Sequence, residues 1–194
     1  MLTGRHRPLP CAADSATEGL GRRTFLRAAA GAAAFFIPVA SACAHAIETR
    51  SLSFVHTHTG ESLSAVYFRS GEYQSAGLQQ INRLLRDFRT DEVHTIDPGV
   101  LDILFDLQIL MNREAPYQVI SGYRSPKTNE ALRRRSDAVA EHSLHMQGKA
   151  IDVRVGGFST RKLRELALRM GRGGVGFYAA SDFVHLDCGR VRFW

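Results

Sequence analysis

Two short stretches of the chain hold residue types that do chemistry together. Ser143-Leu-His145-Met-Gln-Gly148-Lys-Ala150-Ile-Asp152 places an imidazole and a carboxylate on either side of a glycine. Gly148 permits a tight turn, which returns His145 toward Asp152. Asp152 sits between Ile151 and Val153 in an alternating run, so it belongs to a strand. An inward carboxylate there needs a partner, and a metal ion is one way to satisfy it. Further on, Asp182-Phe-Val-His185-Leu-Asp187 projects His185 and Asp187 to one strand face, Val184 and Leu186 to the other. Two imidazole nitrogens and a carboxylate oxygen form a three-ligand zinc set with a fourth position open to water, the arrangement of catalytic zinc. A third cluster, Ser121-Gly-Tyr-Arg124-Ser125, reads as a strand end and turn exposing one arginine.

The elements that must position these groups follow from periodicity. Leu52-Ser-Phe-Val-His-Thr-His-Thr, a turn at Gly60 and Leu63-Ser-Ala-Val-Tyr-Phe make a β-hairpin. Leu78, Ile81, Leu84, Leu85 and Phe88 recur at helical spacing and predict a helix over 78–88. Asp97-Pro98 caps a second helix through Met111, Tyr117 to Ser121 is a short strand, and 129–139 reads as a basic helix. Ala150 to Val155 alternates strictly as a strand. Ser159 or Thr160 caps a helix that Gly171 closes, and two strands follow, from Gly173 to Tyr178 and from Phe183 to Cys188. This order argues for an α+β fold, a central, mainly antiparallel sheet with helices packed on it and the zinc site at the sheet.

Other polar residues carry weaker signals. Cys188, three residues from His185, is a small buried strand residue or, less in keeping with its context, a catalytic thiol. His56 and His58 alternate on one strand face and read as exposed hairpin residues. His142 reads as a solvated loop residue, and Arg133-Arg134-Arg135 as a solvated helix face.

Ser143-x-His145-x-x-Gly148-x-Ala150-x-Asp152 resembles, at every defining position, the signature of the zinc D-alanyl-D-alanine peptidases. That superfamily also holds lysostaphin-type enzymes and hedgehog signalling domains. Ser-Gly-Tyr-Arg-Ser upstream and Phe-Val-His-Leu-Asp downstream match it in order and spacing, while the paired Arg22-Arg23, Phe-Val-His-Leu-Asp and the aromatic C-terminus resemble its murein endopeptidase K group in particular. The resemblance implies a zinc (Zn2+) metallopeptidase acting on peptide bonds of peptidoglycan stem peptides or cross-links, with His145, Asp152 and His185 as ligands. It implies that Arg124 steadies the scissile carbonyl or a substrate carboxylate. Asp182, three residues before His185, occupies the position of a general base; Asp187 is the alternative base or a support for His185. A D,D-carboxypeptidase and a non-catalytic, zinc-containing wall-binding module are the competing readings. A monomer is expected.

The N-terminal stretch reads as an export signal. Gly21-Arg22-Arg23-Thr24-Phe25-Leu26-Arg27 opens an apolar run from Ala28 to Ile37, too short to span a bilayer but suited to a signal h-region. Ala44-His45-Ala46 offers small residues for cleavage, dividing the chain into a signal, 1–46, and a peptidase domain, 47–194. The paired arginines before Phe25-Leu26 resemble the twin-arginine signature, which points to the periplasm. Lipid attachment at Cys43 is disfavoured, because Ala40-Ser41-Ala42 lacks the bulky aliphatic residue of that box. Cleavage after Ala46 leaves Cys188 as the sole cysteine, so no internal bridge forms. Of the formal charge of +6, half lies in the signal, and the weakly basic remainder gives no ground for a nucleic-acid partner. Replacing both Arg22 and Arg23 by Lys is expected to hold uncleaved precursor inside the cell. Cell fractionation and immunoblotting check this; normal export of the double variant would favour the general secretory route.

Overall fold

The computed structural model of the chain describes residues 48–136 and 139–194. The export signal and its cleavage site lie outside the described residues. Strand β1 (Thr49–His56) and β2 (Ser62–Arg69) form the expected hairpin, and β3 (Glu72–Tyr73) adds a short edge. Helix α1 (Ser75–Leu84) buries Ile81 and Leu84, and its Gly77 lies so close to β2 that a Cβ there would stand 2.0 Å from the Val66 carbonyl oxygen. The helix starts earlier and ends earlier than the periodicity predicts. Leu85 leaves the helical conformation, and its carbonyl accepts from Tyr123 N at 2.7 Å. The stretch that follows therefore ties down the Arg124 turn instead of extending the helix.

Helix α2 (Pro98–Met111) begins where Asp97-Pro98 predicts, with the Asp97 side chain accepting from Gly99 N at 2.9 Å. It buries Val100, Leu101, Leu104 and Leu107 against the sheet. Asp102, on the same helix, is buried too, and is compensated by Arg50 at 2.9 Å, Tyr67 at 3.0 Å and Tyr73 at 2.8 Å. Strand β4 (Tyr117–Ser121) leads into α3 (Pro126–Arg133). That helix also departs from expectation: Ser125 Oγ accepts from Thr128 N at 3.2 Å and Pro126 takes the first helical position, so the helix starts before Asn129 and stops at Arg133. Then come β5 (Ala150–Val155), α4 (Thr160–Met170), β6 (Gly174–Tyr178), β7 (Phe183–Asp187) and β8 (Arg192–Phe193).

All eight strands join one sheet in the order β3-β2-β1-β4-β5-β7-β6-β8. Only β1–β4 and β6–β8 run parallel, so the sheet is mainly antiparallel and the fold is α+β, as expected. Alternation gives the sheet two faces. Val153, Val155, Val175, Val184 and Leu186 point to the face that α2 and α4 cover, and join the core with Leu101, Leu104 and Leu163. Asp152, Gly176 and His185 lie on the opposite face. Among the described residues, no helix is long and apolar enough to cross a membrane. Leu104→Ala is expected to cost about 2–5 kcal/mol in urea-unfolding stability, while Ile109→Ala, at a position 61% exposed, changes it by less than about 0.5 kcal/mol.

Candidate metal centre

Pairing register places the central groups. Asp152 lies directly opposite His185 across the β5–β7 ladder, and Gly176 lies opposite His185 on its other side. His145 comes from a 3-10 turn, Leu144–Gln147, between α3 and β5. Ser143 Oγ accepts from His145 N at 3.4 Å at the start of that turn. Gly148 ends it in the left-handed conformation, φ 66°, where a Cβ would also stand 2.1 Å from the Thr95 carbonyl oxygen. Glycine is required there by conformation and by space.

Each imidazole has one nitrogen committed outward and one turned to the centre. His145 Nδ1 donates to the Gly122 carbonyl at 2.7 Å, leaving Nε2 3.3 Å from Asp152 Oδ1 and 3.1 Å from His185 Nδ1. His185 Nε2 pairs with Asp187 Oδ2 at 3.0 Å, leaving Nδ1 2.9 Å from Asp152 Oδ1. One ligand atom from each of His145, Asp152 and His185 falls within 4.8 Å of the others, and all three residues are buried. Burial opposes charge on every group, yet the two histidines hold the Asp152 carboxyl well below the usual range. Burial lowers His145, while at His185 the carboxylates of Asp152 and Asp187 outweigh burial and push the imidazole up to about 9. This is a compact, desolvated N, O, N donor set, and its chemistry fits a divalent metal ion.

Arg124 joins the cluster as expected. Its backbone N donates to the His145 carbonyl at 3.2 Å, and Nη2 stands 3.8 Å from Asp152 Oδ2. Burial lowers its pKa, and Nε is buried without a hydrogen-bond partner. Nη1 reaches Asn129 Oδ1 at 3.4 Å, so the guanidinium is steered by Asn129 and Asp152 beside the centre. The turn that presents it is held from below by Asp87, a buried carboxylate accepting from Ser125 N at 2.8 Å and Arg89 N at 3.0 Å. The sequence reading missed Asp87, because it fell inside a stretch read as helix.

The structure separates the two candidate bases. Asp182 has a left-handed backbone, φ 50°, and a side chain 63% exposed. Its Oδ1 accepts from Thr160 Oγ1 at 2.8 Å and its Oδ2 stands 3.8 Å from Arg154 Nη1. It lines a different cleft, with Gln118, Arg154 and Thr160. Spacing from His185 thus does not bring Asp182 to the cluster: the left-handed residue turns the chain before β7 begins. Asp187 is near but enclosed. It accepts from His185, from Gly174 N at 3.1 Å and Gly189 N at 2.9 Å, and from Arg192 Nη1 at 3.0 Å and Nη2 at 2.8 Å. Every lone-pair direction is used, so Asp187 orients His185 and has no oxygen free for water.

The remaining candidates sort readily. Burial pushes the Cys188 thiol up to about 11, its sulfur faces the Lys149 carbonyl at 3.7 Å, and neither His185 nitrogen is free for it. A catalytic thiol is excluded. His58 is exposed as expected, but His56 is fully buried, because it continues the inward row of Leu52 and Phe54 and packs edge-on to Phe88 at 5.3 Å. His142 is exposed and borders the cluster's own cavity. That cavity, about 500 Å³, is also lined by Arg124, Tyr178, Phe183, Arg192 and Trp194. Arg192 was missed in the sequence, where Trp194 figured only as part of an aromatic C-terminus; an inward Asp187 beside a histidine was the signal that a cationic partner had to lie near.

The donor set is compatible with a metal ion, and the match to known proteins makes the chain a peptidase. The chain belongs to the peptidoglycan L,D-endopeptidase MepK family, whose model matches residues 44–194. It is 43% identical over 145 residues to peptidoglycan L,D-endopeptidase MepK of Escherichia coli (strain K12), covering 75% of this chain and 80% of that protein. It is 40% identical over 146 residues to a probable peptidoglycan L,D-endopeptidase MepK of Haemophilus influenzae, covering 75% and 78%. Asp187→Asn removes a fully buried carboxylate that accepts from His185, Gly174 N, Gly189 N and the part-exposed Arg192 guanidinium, and an amide NH2 cannot accept in its place. It is expected to lower urea-unfolding stability of chelator-treated protein by about 1–3 kcal/mol.

Proposed function

We propose that the chain is a zinc-dependent L,D-endopeptidase of peptidoglycan stem peptides, exported by its residues 1–46, with His145, Asp152 and His185 as the zinc ligands. The observation that carries this reading is the donor set itself. Three ligand atoms converge within 4.8 Å, and each imidazole has its other nitrogen bonded to protein. Such anchoring fixes the tautomers, so the inward nitrogens can offer lone pairs to a metal. Zinc in a three-ligand site supplies Lewis-acid polarisation of a carbonyl and a water made acidic near neutral pH.

The chain's own residues supply the rest. Arg124 lines the cavity, where its guanidinium holds the oxygen of the scissile carbonyl as negative charge grows on it, or a carboxylate of the stem peptide. Asp187 and Gly122 keep the two imidazoles in place and do not touch substrate. The proton released on water attack needs an acceptor in the cavity. Asp182 faces another cleft and Asp187 is fully bonded, which leaves the exposed imidazole of His142, a side chain type suited to proton transfer near neutrality.

Purified 47–194 with zinc is expected to cleave cross-linked muropeptides and to lose that activity to a chelator, with zinc restoring it. His145→Ala is expected to abolish stoichiometric zinc, measured by atomic absorption, together with hydrolysis; an active, zinc-replete His145→Ala protein would refute the ligand assignment. His142→Ala should keep zinc and lose roughly 10²–10⁴ in kcat, the usual worth of a positioned base, while Asp182→Asn should retain near-full turnover. The reverse pattern would return the base role to Asp182.

A further inference from the structure

Beside His185 stand a glycine and two cavity-lining aromatic side chains that the mechanism above does not use. Gly176 faces His185 across the β6–β7 ladder, and a Cβ on it would stand 2.7 Å from ring atoms of Trp194. The indole therefore occupies the space a side chain at 176 would take, with its ring 5.2 Å from the His185 ring. Trp194 is held there by backbone pairing to β6, donating to Val175 O at 3.2 Å and accepting from Phe177 N at 3.1 Å. The Arg192 guanidinium, already fixed on Asp187, lies 5.0 Å from the indole centroid.

Trp194 in turn sets the direction of one hydroxyl. Its Nε1 donates to Tyr178 Oη at 3.1 Å. An indole N–H can only donate, so the tyrosine oxygen is the acceptor and its own proton remains to be given elsewhere. Among the described residues, no acceptor takes that proton. The ring cannot swing freely, because Phe183 stacks on it at 4.6 Å and 17°. Trp194 Nε1 also lies 2.8 Å from the Cβ position of Gly176, the residue paired with His185, so the hydroxyl it holds lies on the His185 face of the sheet. Tyr178 and Trp194 line the same cavity as Arg124, His145, Asp152 and His185.

We propose that Tyr178 is a further catalytic residue, donating a hydrogen bond from its hydroxyl to a carbonyl oxygen of the bound peptide, with Trp194 as the residue that positions it. This rests on the peptidase reading of the centre. A neutral, pre-aimed donor of this kind gains strength as the carbonyl oxygen takes on charge, and it adds to the guanidinium of Arg124 without altering the charge of the site.

The test uses zinc-loaded 47–194 and a synthetic cross-linked stem peptide. Tyr178→Phe is expected to lower kcat by about 10²-fold, with KM and zinc content nearly unchanged. Trp194→Phe keeps an aromatic wall but loses the N–H, and should lower kcat less. The double variant should be no slower than Tyr178→Phe alone, because Trp194 acts through the hydroxyl. Tyr178→Phe at wild-type kcat, or a fully additive double variant, would overturn the proposal. Trp194 is the single tryptophan of the chain, so its fluorescence gives a second readout. An uncleaved stem tetrapeptide added to chelator-treated protein is expected to shift its emission, and an unchanged spectrum at saturation would place the peptide elsewhere. If wild-type protein cleaves no stem peptide while the emission still shifts, the peptidase reading fails and the contact stands.

Discussion

The pairing of β5 with β7 is the constraint on which the site depends. It sets Asp152 opposite His185 and leaves Val153 and Val184 beside them turned to the helices. Side chains alternate with a period of two, so a slip of one residue would bury a histidine against α2 and α4 and bring a valine into the cavity. The apolar residues of these strands are thus part of the active-site specification. Val153, Val184 and Leu186, fully or almost fully buried, fix the register by the cost of exposing them.

Register alone positions two of the three central donors, and the third arrives through a turn. His145 is carried by the 3-10 segment, whose ends are set by Ser143 and Gly148, and is anchored to Gly122 at the end of β4. Arg124 bonds back to the same segment through its backbone N. The β4 end and the 144–147 turn are thereby bonded directly to each other. On the other side, Asp187 and Arg192 hold His185 from β7 and β8. Neither imidazole can rotate without breaking a buried hydrogen bond, a form of pre-organisation that a catalytic metal site requires.

Much of this was legible in the residues. The strands carrying Asp152 and His185 alternate clearly, and the Asp97-Pro98 and Gly171 boundaries announce α2 and the end of α4. What escaped depended on partners distant in sequence. Phe88 continued a helical spacing, yet the chain leaves the helix at Leu85 because Tyr123, far along the sequence, takes its carbonyl. The burial of His56 followed from Phe88 and from strand parity, and no local signal marked it. Asp182 stood at a plausible separation from His185, but it sits in a left-handed turn with its carboxylate on Thr160 and Arg154, and non-glycine residues in that conformation are hard to foresee. Arg192 and Trp194 became meaningful only once β8 was seen to lie beside β6.

The spread of these groups along the chain bears on when the protein becomes dangerous to the cell that makes it. Gly122, His145 and Asp152 emerge from the ribosome well before His185, Asp187 and Arg192. β5 lies between β4 and β7 in the sheet, so until β7 is synthesised one edge of β5 has no neighbour and Asp152 has no histidine across from it. A nascent or truncated chain that lacks β7 holds only two of the three donors and an unpaired strand edge, which invites quality-control proteolysis. Assembly of the donor set is thereby tied to completion of the fold.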